Sequence, residues 1–248
     1  MNKSILAFAI TSVLASTAHA DDPAPPANPF TANISVTTNY KYRGQDQGSS
    51  PSKTLRPAVQ GGFDWTQNGF YLGNWNSSIG WVPGASVEMD FYGGYRGEIT
   101  KELTYDVGIL RYQYNGGGIA NTTELYGQLL EGPFSIKYSH TISRDYFGYG
   151  GGNFSGRNTG YLDGSVNYPV NDQLTLNLHL GYTRYARDLR DNVGIPNYAD
   201  YKIGVTYDLS KYVGPGVTIS GAFVGASKVG YYGDINKGRF IATLTKTL

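Results

Sequence analysis

Cysteine is absent from this chain of 248 residues. That removes disulfides, thiolate metal sites, a cysteine nucleophile and the lipid-bearing cysteine of a lipoprotein. Long apolar runs are missing as well. The stretch from Ile5 to Leu14 falls well short of the roughly 20 residues a membrane helix needs, and no later window comes close, so helical membrane insertion is excluded. Net charge is lacking too, with 20 Lys+Arg against 19 Asp+Glu. A nucleic-acid binder would carry a basic surplus, and that class is set aside.

What is present begins with an export signal. Lys3 supplies a positive start, Ile5 to Leu14 an apolar core, and Ala18-His19-Ala20 a small-residue cleavage site. Residues 1–20 are expected to be a cleaved signal peptide and 21–30 a proline-rich periplasmic lead-in. Residues 31–248 are left for the folded body.

That body alternates apolar and polar residues in stretches of about ten, separated by glycine- and asparagine-rich breaks. In the segment from Leu174 to Tyr185, the residues Leu174, Leu176, Leu178, Leu180 and Tyr182 fall on one face of a strand, and Thr175, Asn177, His179, Gly181 and Thr183 on the other. A helix turns about 100° per residue and would scatter the leucines, whereas a strand's period of two gathers them. Mean hydropathy resembles that of a soluble protein, as expected when a lipid-facing apolar face is averaged with a polar lumen and loops.

The same pattern predicts twelve strands, near 31–43, 57–66, 70–81, 87–97, 103–114, 122–131, 134–143, 159–170, 174–186, 198–209, 217–228 and 238–248. The expected fold is all-β: a transmembrane antiparallel β-barrel of about twelve strands, with short periplasmic turns and longer extracellular loops. Gln67-Asn68-Gly69 and Glu131-Gly132-Pro133 exemplify the short set, and 44–56 and 144–158 the long set. The 22 tyrosines suit a membrane boundary, where the ring is apolar and the hydroxyl wants water. The expected aromatic girdle is Tyr40, Tyr42, Trp65, Phe70, Trp75, Trp81, Tyr105, Phe134, Tyr168, Tyr182 and Tyr207. A soluble β-sandwich also alternates, but it would concentrate its aromatics centrally, and here they gather at strand ends.

Several stretches resemble one family of exported bacterial proteins. They are Asn39-Tyr40-Lys41-Tyr42-Arg43-Gly44, Pro57-Ala58-Val59-Gln60-Gly61-Gly62-Phe63-Asp64, Gly69-Phe70-Tyr71 with Gly73 and Trp75, Glu88-Met89-Asp90-Phe91-Tyr92-Gly93-Gly94-Tyr95, Tyr105-Asp106-Val107-Gly108 and Gly132-Pro133-Phe134-Ser135. In these the chain resembles the TorF-type porin family, also called Gcw_chp. The resemblance implies an outer-membrane barrel with a pore function and names no solute. After Arg43-Gly44 the family tends to continue with a Ser-Gln-Thr-like run, where this chain reads Gln45-Asp46-Gln47-Gly48.

Alternation sends Lys41, Arg43, Asp64, Glu88, Asp90, Arg96, Asp106, Lys137, Asp163, His179, Lys202 and Asp208 to the lumen, because arginine or lysine facing lipid at mid-depth would cost ~2–4 kcal/mol. One reading is a bracing network. The other is an acidic stripe of Asp64, Glu88, Asp90 and Asp106 facing Arg43, Arg96 and Lys137, a transverse field that selects small polar solutes.

No enzyme, cofactor or metal site is expected. His140 and His179 are the histidines of the expected mature chain, they have opposite phases, and the first serine after His140 faces away from it. Glu88 and Asp90 with Asp64 lack the loop of a calcium site. The glycine run 148–152 opens no helix after a strand, so it makes no phosphate cradle. The expected partners are outer-membrane lipid and lipopolysaccharide, the outer-membrane assembly machinery and small polar solutes. The expected function is a narrow porin. A closed barrel with binding or adhesive loops, and a periplasmic barrel that binds a ligand, stay open as alternatives.

Overall fold

The computed structural model describes residues 28–48 and 55–248. The expected signal peptide and most of the lead-in lie outside the described residues. Strand β1 (Phe30–Thr37) opens a barrel, and β2 (Lys41–Tyr42) and β3 (Gln45–Asp46) make a small hairpin apart from it. The wall continues with β4 (Ala58–Gln67), β5 (Phe70–Ser78), β6 (Val87–Glu98), β7 (Leu103–Tyr114), β8 (Thr122–Glu131) and β9 (Phe134–Thr141). It is completed by β10 (Gly160–Pro169), β11 (Leu174–Arg184), β12 (Tyr198–Asp208), β13 (Val217–Ala226) and β14 (Arg239–Thr247). Each wall strand pairs antiparallel with its neighbours in sequence order, and β14 returns to β1 through Val36↔Leu244. This is a closed barrel of twelve strands, and closure leaves no ladder edge exposed.

Period-two patterning sets the two faces. On β12, Tyr198 and Asp200 are buried, whereas Ile203 is 60% exposed on the other side. Leu180, Val36, Phe63 and Leu244 likewise point outward, so the apolar residues form the outer surface and the polar ones the interior. A water-soluble domain would invert that arrangement. In a bilayer, Ile203→Arg is expected to cost ~2–4 kcal/mol, while Thr175→Arg, which points inward, is tolerated. Heat-dependent gel mobility of the refolded variants measures this, and equal tolerance on both faces would refute a lipid-facing wall.

One end of the barrel carries short connections and the other long ones. Gln67 and Phe70 are joined by Asn68-Gly69, both at positive φ (53° and 83°), the tight hairpin geometry that Asn-Gly favours. At the opposite end lie 38–48, 55–57, 79–86, 115–121, 142–159, 185–197 and 227–238.

The first predicted strand is too long. It runs to 43 in the sequence reading, but the wall strand stops at Thr37, where Thr37 Oγ1 donates to the Asn39 carbonyl (3.0 Å). The chain then turns into the barrel. Tyr40 to Arg43 keep an alternating pattern because β2 is extended, but its ladder partner is β3.

Four expected girdle residues are corrected with it. Tyr40 reaches Glu88 inside the barrel, Tyr42 packs on Tyr112, and Trp75 packs on Tyr40. Trp81, in the 79–86 loop, packs edge-on against buried Tyr114. On β5 the inward phase is Tyr71, Gly73, Trp75 and Ser77, and the outward phase is Phe70, Leu72, Asn74 and Asn76. Asn74 and Asn76 satisfy their amides on each other and on the backbone of Asp90 and Gly61. Phe70, Phe134, Tyr168 and Tyr182 are exposed on the outer face. Trp65 borders an outer hollow with Phe70, Tyr105 packs on Tyr95, and Tyr207 touches Tyr212.

Candidate functional site

The β2–β3 hairpin lies across the barrel interior at the long-loop end. Its turn is Arg43-Gly44, with φ of 47° and 74°. Glycine is required at the second position twice over. Its φ is left-handed, and a Cβ there would sit 2.6 Å from Asp200 Cβ and 2.8 Å from Ala226 Cβ. The hairpin tip therefore abuts the wall at β12 and β13.

The charged side chains near the tip are ion-paired, although Arg43 Nε is buried without a hydrogen-bond partner. Arg43 donates twice to Glu124 on β8 (2.9 and 2.7 Å) and once to Tyr146 (3.0 Å), with its guanidinium 4.1 Å from the Tyr161 ring centroid. Lys41 Nζ donates to the carbonyls of Gly44 (2.9 Å) and Ile235 (2.8 Å) and pairs with Asp46 (3.3 Å). Asp46 also accepts from Arg239 on β14 (2.7 Å). Gln45 donates to Asn236 (3.0 Å) and accepts from Tyr149 (2.7 Å). Charges buried this deeply are costly unless paired, and the bidentate contact of Arg43 with Glu124 supplies the ion pair.

Aromatic rings pack around the hairpin. Phe147 stands against Tyr112 (4.9 Å) and Tyr146 (4.7 Å), and Tyr146 against Tyr185 (5.8 Å). Tyr185, Leu189 and Tyr198 close the other side, with Leu189 drawn from helix α1 (Arg187–Asn192).

This packing divides the interior in two. Inward residues toward the long-loop end, such as Ser77, Glu88, Thr122, Glu124, Thr141, Thr183 and Asp200, are buried. Those toward the short-turn end, such as Gln128, Ser135, Asn177, Lys202, Thr206 and Ser220, are half-buried. Tyr71 and Asp106, joined by a 2.5 Å hydrogen bond, are exceptions. The interior is roofed and packed shut at the long-loop end by the hairpin and is more loosely filled toward the short-turn end.

The charged residues expected in the lumen do not act alike. Arg96 pairs with Asp106 (2.9 Å) and lies over the Tyr71 ring. Asp106 is thereby neutralised and leaves the expected acidic stripe, just as Arg43 is consumed by Glu124. Asp64 accepts from Tyr92 (2.6 Å), and Glu88 from Tyr40 (3.3 Å). Neither these two nor Asp90 has a cation within ion-pair distance among the described residues, and Asp64 Oδ2, Glu88 Oε2 and Asp90 Oδ1 are buried without a hydrogen-bond partner. Lys137 Nζ stands 3.9 Å from the Tyr126 ring centroid. Lys202 is cross-strand from His179. Asp208 sits at the short-turn rim and caps Ser210 N (2.7 Å) on helix α2 (Ser210–Val213).

His179 makes a contact that reading along the chain missed. Ser165 is its cross-strand partner, with Ser165 Oγ 3.2 Å from Nδ1, and Asp200 Oδ1 is 2.8 Å from Nε2. These are the spacings of a nucleophile, base and orienting acid. However, Asp163 Oδ2 is also 3.2 Å from Nδ1, and Ser165 Oγ donates to Asp163 Oδ1 (2.7 Å). Both imidazole nitrogens face carboxylates and the serine proton is already engaged, so the arrangement braces β10, β11 and β12. No cluster of three or more histidine and carboxylate groups suited to a metal occurs among the described residues.

A family model described as a bacterial protein of unknown function, Gcw_chp, matches residues 20–247. The chain belongs to the Gcw_chp family. No curated protein matches its sequence. This Gcw_chp barrel is similar to the solved NanC porin, with a TM-score of 0.57 at 14% identity over 87% of this chain and 98% of that one. It is also similar to KdgM porin, with a TM-score of 0.56 at 10% identity over the same shares. A KdgM structure in complex with disordered oligogalacturonate gives 0.55 at 11% identity, with 87% of this chain and 98% of that chain covered. At such identities the likeness shows the fold: the Gcw_chp chain has the twelve-stranded barrel of outer-membrane porins.

Proposed function

We propose that this protein is an outer-membrane porin that conducts small polar solutes through a narrow lumen lined with both charge signs. The observation that carries the reading is a closed twelve-stranded wall with apolar residues outside and polar residues inside. In this reading residues 1–20 direct export, the short-turn end faces the periplasm, and the long loops face outward among lipopolysaccharide. The outward aromatics near the short turns, Trp65, Phe70, Tyr105, Phe134, Tyr168 and Tyr207, lie at the inner boundary. The constriction is the β2–β3 hairpin, whose first strand and turn lie within the Asn39 to Gly44 stretch that resembles the TorF-type family.

The packed roof favours a second reading, in which the barrel stays closed and its outer loops bind a partner. Conductance of the purified protein in a planar bilayer separates the two. Discrete channels support the porin, and a silent, correctly folded barrel supports the closed form.

Selectivity follows from the carboxylates that no cation neutralises. Replacing Asp64, Glu88 and Asp90 together with their amides is expected to move the reversal potential toward anions, with conductance retained. The shift shrinks as salt rises, because screening acts over ~10 Å at 0.1 M. Unchanged selectivity would reduce these groups to wall bracing.

A further inference from the structure

We propose that the space beneath the hairpin is a binding site for a small zwitterion, such as a short peptide, with its carboxylate held toward Lys137 and Lys202 and its ammonium toward Asp64 and Asp90. The inference depends on the porin reading only for the route by which the ligand arrives.

The first observation is where the unpaired charges stand. Around the barrel, Asp90 on β6 and Lys202 on β12 are six strands apart in a ring of twelve, which is diametrically opposite. Asp64 on β4 and Lys137 on β9 are five apart, nearly so. The carboxylates without an ion-pair partner therefore occupy one wall and the ammonium groups without one the other, where Asp163, cross-strand from Lys137, is held by His179.

The second observation is their depth. Asp90 is one inward-facing step below Glu88, which accepts from Tyr40 at the base of the hairpin. Lys202 is one such step below Asp200, against which Gly44 at the hairpin tip is pressed. Both lie in the layer directly under the roof, where a solute entering from the short-turn end would stop.

The third observation is that the two sides do not satisfy each other. Asp90 is 7% exposed, and its Oδ1 has no hydrogen-bond partner among the described residues. Lys137 and Lys202 have no carboxylate within ion-pair distance among the described residues, although the other inward cations Lys41, Arg43, Arg96 and Arg239 all do. A simple anion or cation would answer one wall and be repelled by the other. A polyanion such as the oligogalacturonate of the KdgM complex would meet only two available ammonium groups and the opposing carboxylates. A molecule with both charges, separated by several bonds, answers both walls at no net charge.

The test is calorimetric titration of the folded barrel in detergent with four probes: triglycine, N-acetyl-triglycine, triglycine amide and N-acetyl-triglycine amide. Triglycine is expected to bind most tightly, with about a tenfold loss when either end is capped, since a hydrogen bond to a charged group is worth at least that factor. The doubly capped peptide should give no measurable heat. Lys137→Gln with Lys202→Gln should weaken triglycine about tenfold without weakening triglycine amide, and Asp64→Asn with Asp90→Asn should weaken triglycine about tenfold without weakening N-acetyl-triglycine. Should a variant fail to fold, wild-type protein still decides, because triglycine affinity should fall between 0.1 and 1 M salt as the screening length shortens from about 10 to 3 Å. Equal binding of all four probes, or no heat from triglycine with a folded barrel, overturns the site. A barrel that binds triglycine but conducts nothing overturns the porin and leaves the site. One that conducts but does not bind does the reverse.

Discussion

Replacing residues 40–47 with a short glycine-serine bridge will raise single-channel conductance several-fold while the barrel keeps its heat-dependent gel mobility. The wall does not need the hairpin, because β1 pairs with both β4 and β14 along its own ladder. The interior does need it. Arg43, Gln45 and Asp46 occupy the cross-section at the long-loop end, and Phe147 and Tyr146 pack onto Tyr42 and Arg43. Removing that filling leaves the layer of Glu88, Glu124 and Asp200 facing water. An unchanged conductance in a folded variant would place the constriction in the 142–159 loop instead.

Glu124→Ala will loosen the roof by about 3–5 kcal/mol, the usual cost of stranding one member of a buried ion pair. Arg43 would lose both of its carboxylate bonds and keep Tyr146 as its remaining hydrogen-bond acceptor. Because the ladder stands independently, the cost falls on docking of the hairpin and not on the wall. A change of that size shifts the undocked population by about a hundredfold or more. It should appear as fluctuating openings in bilayer records and as protease cleavage within residues 39–48. Pairing Glu124→Leu with Arg43→Met should restore most of the docking, since two apolar groups have no charge left to strand. Equal cleavage in wild type and Glu124→Ala would show that the ion pair does not hold the roof.

The wall was legible in the sequence because its signal is local. The alternation from Leu174 to Tyr182 and the Asn68-Gly69 turn each announce themselves within a few residues, and family membership follows from short motifs spread along the chain. The inward hairpin was not legible. Tyr40 to Arg43 alternate as well as any wall strand, and only Glu124, 81 residues away, shows where Arg43 belongs. Trp75 misleads for a similar reason. An indole on an inward face looks wrong until Tyr40 is seen to cover it. At the candidate site, phase alone gives the side of each charge but not its partner. Asp64 and Asp106 read alike in sequence, yet Arg96 neutralises only the second. The contact of Ser165 with His179 is set by the register of β10 on β11, which alternation leaves open.

The hairpin also constrains the order in which the molecule can be assembled. Lys41 grips the carbonyl of Ile235, Gln45 grips Asn236, and Asp46 grips Arg239, contacts that join positions 191 to 194 apart in the chain. The hairpin is made near the beginning of the polypeptide, but half of its anchorage arrives with the last strand. Until β14 has met β1, Asp46 lacks Arg239 and Lys41 has nothing at Ile235 to hold. Docking therefore comes after closure, and a chain caught before that step would be an unsealed barrel with an empty bore and an undocked hairpin at its mouth.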